Sequence, residues 1–82
     1  MGLKKLAAKV AEYNERLKDG KASKIKPGHV RKVLEKLRKK SAELEAELAS
    51  AHTPEKRARL SRKLEVARAH EERAEWLLKD LG

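Results

Sequence analysis

Cysteine and phenylalanine are both missing from this chain, and its 82 residues hold only one tryptophan (Trp76), one tyrosine (Tyr13), two prolines and four glycines. Without cysteine there is no disulfide, no thiolate nucleophile and no thiolate metal ligand, which fits a reducing cytoplasm. With so few rings, the core must be built from Leu, Val and Ala, and such a core is thin for a chain of this size. No apolar run approaches the ~20 residues that span a bilayer. The stretch Leu3 to Val10 is broken by Lys4, Lys5 and Lys9, so no secretory signal is expected. The Met1–Gly2 opening is not read as a myristoylation site, because Leu6 stands where that motif needs Ser or Thr.

What the chain has in quantity is charge. Charged residues make up 43% of it, and 22 Lys and Arg against 13 Asp and Glu leave a formal net charge of +9. An excess of this size points to a polyanionic partner, such as nucleic acid or an acidic protein surface.

The apolar residues recur in steps of three and four. One stripe runs Val30, Leu34, Leu37, Ser41, Leu44, Leu48, Ala51, and a second runs Leu60, Leu64, Ala67, Glu71, Ala74, Leu78, Leu81. This spacing keeps one face of an α-helix against a partner helix. A shorter stripe, Leu3, Leu6, Val10, Tyr13, Leu17, precedes them. The fold class is therefore all-α, a single domain over 1–82: a coiled-coil-like antiparallel hairpin with a shorter N-terminal helix, arranged as a three-helix bundle or a dimerising hairpin. The expected spans are 3–18, 28–51 (starting at Pro27 or just after) and 54–81, with a linker over 19–27.

The punctuation between stripes supports these limits. Asp19-Gly20 closes the first helix, since glycine takes the left-handed conformation freely. Ile25 and Val30 fall where a hydrophobic staple would set the entry into the second helix. Thr53-Pro54-Glu55 supplies an N-cap, a first-turn proline and an acidic residue at the positive end of a helix. A break this short forces the second and third helices antiparallel. Both helices are basic in their first halves and acidic afterwards, so antiparallel packing sets plus against minus, with Arg31 near Glu75 and Glu47 near Lys56. The surplus apolar residues Val33, Trp76 and Leu77 mark the end that the first helix covers, and the end near His52 projects as a two-helix finger.

One register for the whole hairpin leaves a belt that does not neutralise itself: Arg38 falls opposite Arg68 and Lys40 opposite Lys63, with Lys39, Arg59 and Arg62 nearby. A phosphate-bearing or acidic partner would relieve that repulsion. Lys24 and Lys26 in the linker form a second candidate beside a helix N-terminus. No aromatic residues interleave with the basic ones, so base stacking has no support, and binding through the nucleic-acid backbone, salt-sensitive and without strong sequence preference, is the expectation. His29, His52 and His70 are too dispersed to share a metal ion, and no glycine-rich phosphate loop, nucleophile–base pair or facing carboxylate pair is present. The expected role is thus a non-enzymatic basic binding module with no cofactor, metal or small-molecule substrate. The alternative is a protein–protein adaptor or self-assembling coiled coil, including a homodimer. Membrane binding by the lysine-faced first helix is the weakest reading, since packing on its own hairpin explains its stripe.

Overall fold

The computed structural model describes residues 2–81; Met1 and Gly82, and with them the start of the Met-Gly opening, lie outside the described residues. The short stripe winds into helix α1, Leu3–Lys18, burying Leu6, Val10 and Tyr13. Its end is a Schellman closure. Gly20 adopts a φ of 71°, its N–H donates to the Leu17 carbonyl at 3.2 Å, and the Lys21 N–H donates to the Arg16 carbonyl at 2.8 Å. These bonds satisfy carbonyls that the helix itself leaves free.

The segment expected as a plain linker is more ordered than its composition suggested. Ala22–Lys24 form a single 3₁₀ turn, and Ile25 is buried in the core at 3% exposure. One apolar side chain is enough to pin a short connector when it also staples the next helix. Helix α2, Pro27–Ser50, has Pro27 in its first turn and Lys26 as N-cap, and Ile25 and Val30 sit in one cluster, the staple geometry. Helix α2 begins at Pro27, within the expected start, and ends one residue short of the expected span, at Ser50, with Ala51 as the buried C-cap.

Helix α3, Pro54–Leu81, begins as expected: the Lys56 N–H donates to Thr53 Oγ1 at 3.3 Å. Arg57, three residues before Leu60 at the start of α3, acts on the neighbouring helix. Its Nη1 donates to the carbonyls of Leu48 at 3.4 Å and Ala51 at 3.3 Å, placing a cation at the negative end of α2, where last-turn carbonyls lack partners.

Helices α2 and α3 meet along their stripes, and the core divides into two clusters. The larger holds Leu6, Val10 and Tyr13 of α1, Ile25, and Val30, Val33, Leu34, Leu37, Ala74 and Leu77 of the hairpin. The smaller holds Leu44, Ala51, Leu60, Leu64 and Ala67, with Leu3 and Leu48 packed against it. Leu3 thus reaches the smaller cluster with the first turn of α1, while the rest of α1 covers the open end of the hairpin. The body measures 46 × 19 × 18 Å, and the 16 residues of α1 account for about 24 Å of that length at ~1.5 Å per residue. The distal part is the expected two-helix finger.

Two side chains depart from the sequence reading. Trp76 was expected under α1 but is 46% exposed. Leu77, one step further round α3, takes the fully buried position instead, and Trp76 forms the outer wall of a groove between α1 and α3 with the Arg73 guanidinium 5.7 Å from its ring. Glu71, on the α3 stripe, is only half-buried and so keeps contact with water.

Ser41 separates the two clusters. It is 6% exposed, and its Oγ has no hydrogen-bond partner. A buried hydroxyl left unpaired costs about 1–3 kcal/mol, and serine is a poorer helix former than alanine. Ser41→Ala is expected to stabilise the fold by about 1 kcal/mol, seen as a higher urea midpoint at unchanged slope. A lower midpoint would show that the hydroxyl is bonded after all.

Candidate polyanion interface

The seam is bordered by two flanks, and the flanks do not share a register. On the first, residues follow seam positions in both helices: Arg38 after Leu37, Glu45 after Leu44, Arg68 after Ala67, Glu75 after Ala74. On the second they precede them: Val33 and Lys40 on α2, Lys63 and Leu77 on α3. Because the helices run in opposite directions, these offsets add rather than cancel, so one flank is shifted along the axis relative to the other. A single pairing rule cannot serve both.

This corrects the expected belt. Arg38 does not face Arg68. Arg38 Nη2 bonds Glu75 Oε1 at 2.9 Å, and Arg68 bonds Glu45. The two pairs share one register, since seven residues forward on α2 from Arg38 to Glu45 match seven residues back on α3 from Glu75 to Arg68. Glu75 therefore pairs with Arg38 rather than Arg31. All four side chains are more than half exposed, so each pair contributes at most ~1 kcal/mol; together they favour the antiparallel orientation. Arg38 and Arg68 are thus neutralised within the hairpin.

The second flank carries the uncompensated charge. Under α1 it is apolar, with Val33 and Leu77 buried, and just past the first turn of α1 it turns cationic. Lys40 and Lys63 line one groove there, as expected, joined by Lys4 of α1. Lys40 pairs with Glu43 Oε2 at 4.0 Å. Lys39 lines a second groove with Lys36, Lys40 and Glu43. Arg59 and Arg62 are exposed on α3 and belong to none of the ion pairs among the described residues. Lys24 and Lys26 lie exposed at the far end beside the 3₁₀ turn, where the Lys24 carbonyl accepts a 3.5 Å bond from Arg16 Nη1. They are not brought to the belt.

Packing of α1 against α2 assembles a cationic strip that the sequence reading left out. Lys9 and Tyr13 of α1 line a shallow groove with His29, Lys32, Val33 and Lys36 of α2, and this runs on through Lys36 into the groove of Lys39 and Lys40. The spacing His29, Lys32, Lys36, Lys39 puts these side chains on one helix face. That spacing was available in the sequence; the arrival of Lys9 beside it depends on how α1 docks. Glu43 is the only carboxylate lining either groove among the described residues. Such a row offers ammonium charge and N–H donors of the kind that phosphate or carboxylate oxygens accept. No group of three His, Cys, Asp or Glu among the described residues is placed to hold a metal ion, and no described helix is long and apolar enough to cross a membrane.

No protein-family model matches this chain, and neither a curated protein nor a solved structure matches it significantly.

Tyr13 lies at the base of the strip. Burial, and next the Glu12 carboxylate, push its phenol above the ordinary 10.0, while Arg16 pulls it down. A tyrosine held above its unfolded value contributes stability that is complete below about pH 10 and is lost as pH rises through the folded value. Absorbance titration of the native chain should therefore place tyrosinate formation above 10.0, with stability falling over the same range. A midpoint at or below the ordinary value would contradict the packing described for Tyr13.

Proposed function

We propose that this chain is a small non-enzymatic binding module that takes the phosphate backbone of nucleic acid through the strip between α1 and α2. The observation that carries this reading is the row Lys9, His29, Lys32, Lys36 and Lys39, drawn from two helices and lined by a single carboxylate, Glu43. From His29 to Lys39 the row covers about 15 Å of helix, close to four or five phosphate steps of a duplex at ~3.4 Å per strand step. Adjacent cations on this face are about 5–6 Å apart, so each can meet a different phosphate. Tyr13 is buried and has no face to offer a base, which leaves the His29 imidazole as the exposed ring among the residues of the strip, so contact is chiefly with the backbone and carries little sequence information.

Neutralising about four phosphates gives a logarithmic salt slope near −3.6 on duplex DNA, so affinity should fall by about 150-fold between ~50 and ~200 mM salt. Lys32→Glu with Lys36→Glu is expected to abolish binding at the lower salt, whereas Arg38→Glu, on the neutralised flank, should weaken it only slightly. Fluorescence anisotropy with two unrelated duplexes measures both. Equal binding by the Lys32/Lys36 variant and the parent chain, or binding indifferent to salt, would remove the strip from this role.

A further inference from the structure

The cationic flank changes character where α1 begins, and the change creates a second surface with different chemistry. Its floor is apolar, made by Leu3 and Ala7 from α1, Leu44 from α2 and Val66 from α3. Val66 is 45% exposed, a β-branched apolar side chain on the surface of a charged helix. Its rim carries one lysine from each helix, Lys4, Lys40 and Lys63, with Glu47 as the only acidic residue lining it among the described residues.

The shape follows from a mismatch of lengths. Helix α1 has 16 residues against 24 in α2 and 28 in α3. It leaves about 20 Å of the hairpin uncovered on its own side, room for three to four turns, or about 13 residues, of another helix. Helix α1 points its N-terminal end at this space, with no side-chain cap and no acidic residue in its first turn, so the partial positive charge of that end adds to the lysines.

We infer that this shelf docks an acidic amphipathic α-helix of a partner protein, lying end to end with α1 and completing the third-helix position along the finger. Charge complementarity selects the occupant. Apolar residues at helical spacing cover Val66 and the accessible edges of Leu3 and Ala7, and flanking carboxylates meet the three lysines, the helix-in-groove mode of recognition. A second copy of this chain brings a net +9 to a lysine rim and is disfavoured. A nucleic-acid strand satisfies the rim but leaves the apolar floor in water. This docking goes beyond the phosphate-binding strip and does not depend on it.

The test uses the full chain with isotope-labelled methyl groups and three probes. These are a synthetic helical peptide of about 13 residues with Leu at heptad spacing and Glu between, a scrambled peptide of the same composition, and a DNA duplex. The ordered peptide should bind saturably, at least about tenfold more tightly than the scrambled one, and shift the methyl signals of Val66, Ala7 and Leu44. Val66→Glu should cut peptide affinity about tenfold or more and leave duplex binding unchanged; Lys63→Glu provides a second reduction through charge alone. Equal binding of the two peptides, no binding, or shifts centred elsewhere overturns the inference, as does a homodimer that Val66→Glu dissolves. Loss of duplex binding alone would count against the strip and leave the shelf standing.

Discussion

Antiparallel pairing of α2 and α3 is the constraint from which the rest of the molecule follows. It decides which layers meet, and through them it fixes two flanks with different registers. On one flank the registers bring Arg38 to Glu75 and Arg68 to Glu45, and the surface is neutralised. On the other they bring Val33 and Leu77 under α1 and leave Lys40 and Lys63 lining one groove with its first turns. One flank holds the hairpin in orientation; the other receives α1 and presents the charge.

The same constraint explains how a chain with so few aromatic residues is held together. Neither hairpin stripe buries enough by itself, so α1 contributes Leu6, Val10 and Tyr13 to the open end, and the finger relies on Leu44, Leu60 and Leu64. A fully buried leucine or valine contributes about 1.5–3 kcal/mol, which makes the α1-covered end the stronger part. Local devices support the weaker one: the Thr53 cap and the Arg57 bonds to the final carbonyls of α2 both act at the tip. Ser41, unpaired between the clusters, marks the point where the two halves meet least well.

Much of this was legible in the spacing of residues. Steps of three and four identified both hairpin helices, Thr53-Pro54 marked the turn, Gly20 the end of α1, and Ile25 with Val30 the staple, because each depends on interactions within a few residues. What the spacing could not carry was the offset between flanks, which exists only once two antiparallel helices are in contact; a single register therefore set Arg38 against Arg68. Trp76 and Leu77 were both available to face α1, and adjacent residues on a helix are separated by a rotation that only the docking angle of α1 resolves. Lys9 lay outside the candidate set for the same reason, being a tertiary neighbour of Lys32 and Lys36 rather than a sequence neighbour.

The division of charge between the flanks is what ties the fold to the proposed role, and it can be observed residue by residue. The direct measurement is an amide chemical-shift titration of the full chain with a short DNA duplex at low salt. Perturbations should follow one line from Lys9 through His29, Lys32, Lys36 and Lys39, leaving Arg38, Glu45, Arg68 and Glu75 almost unmoved. Shifts centred on that second set, or spread evenly over all the basic residues, would contradict the account.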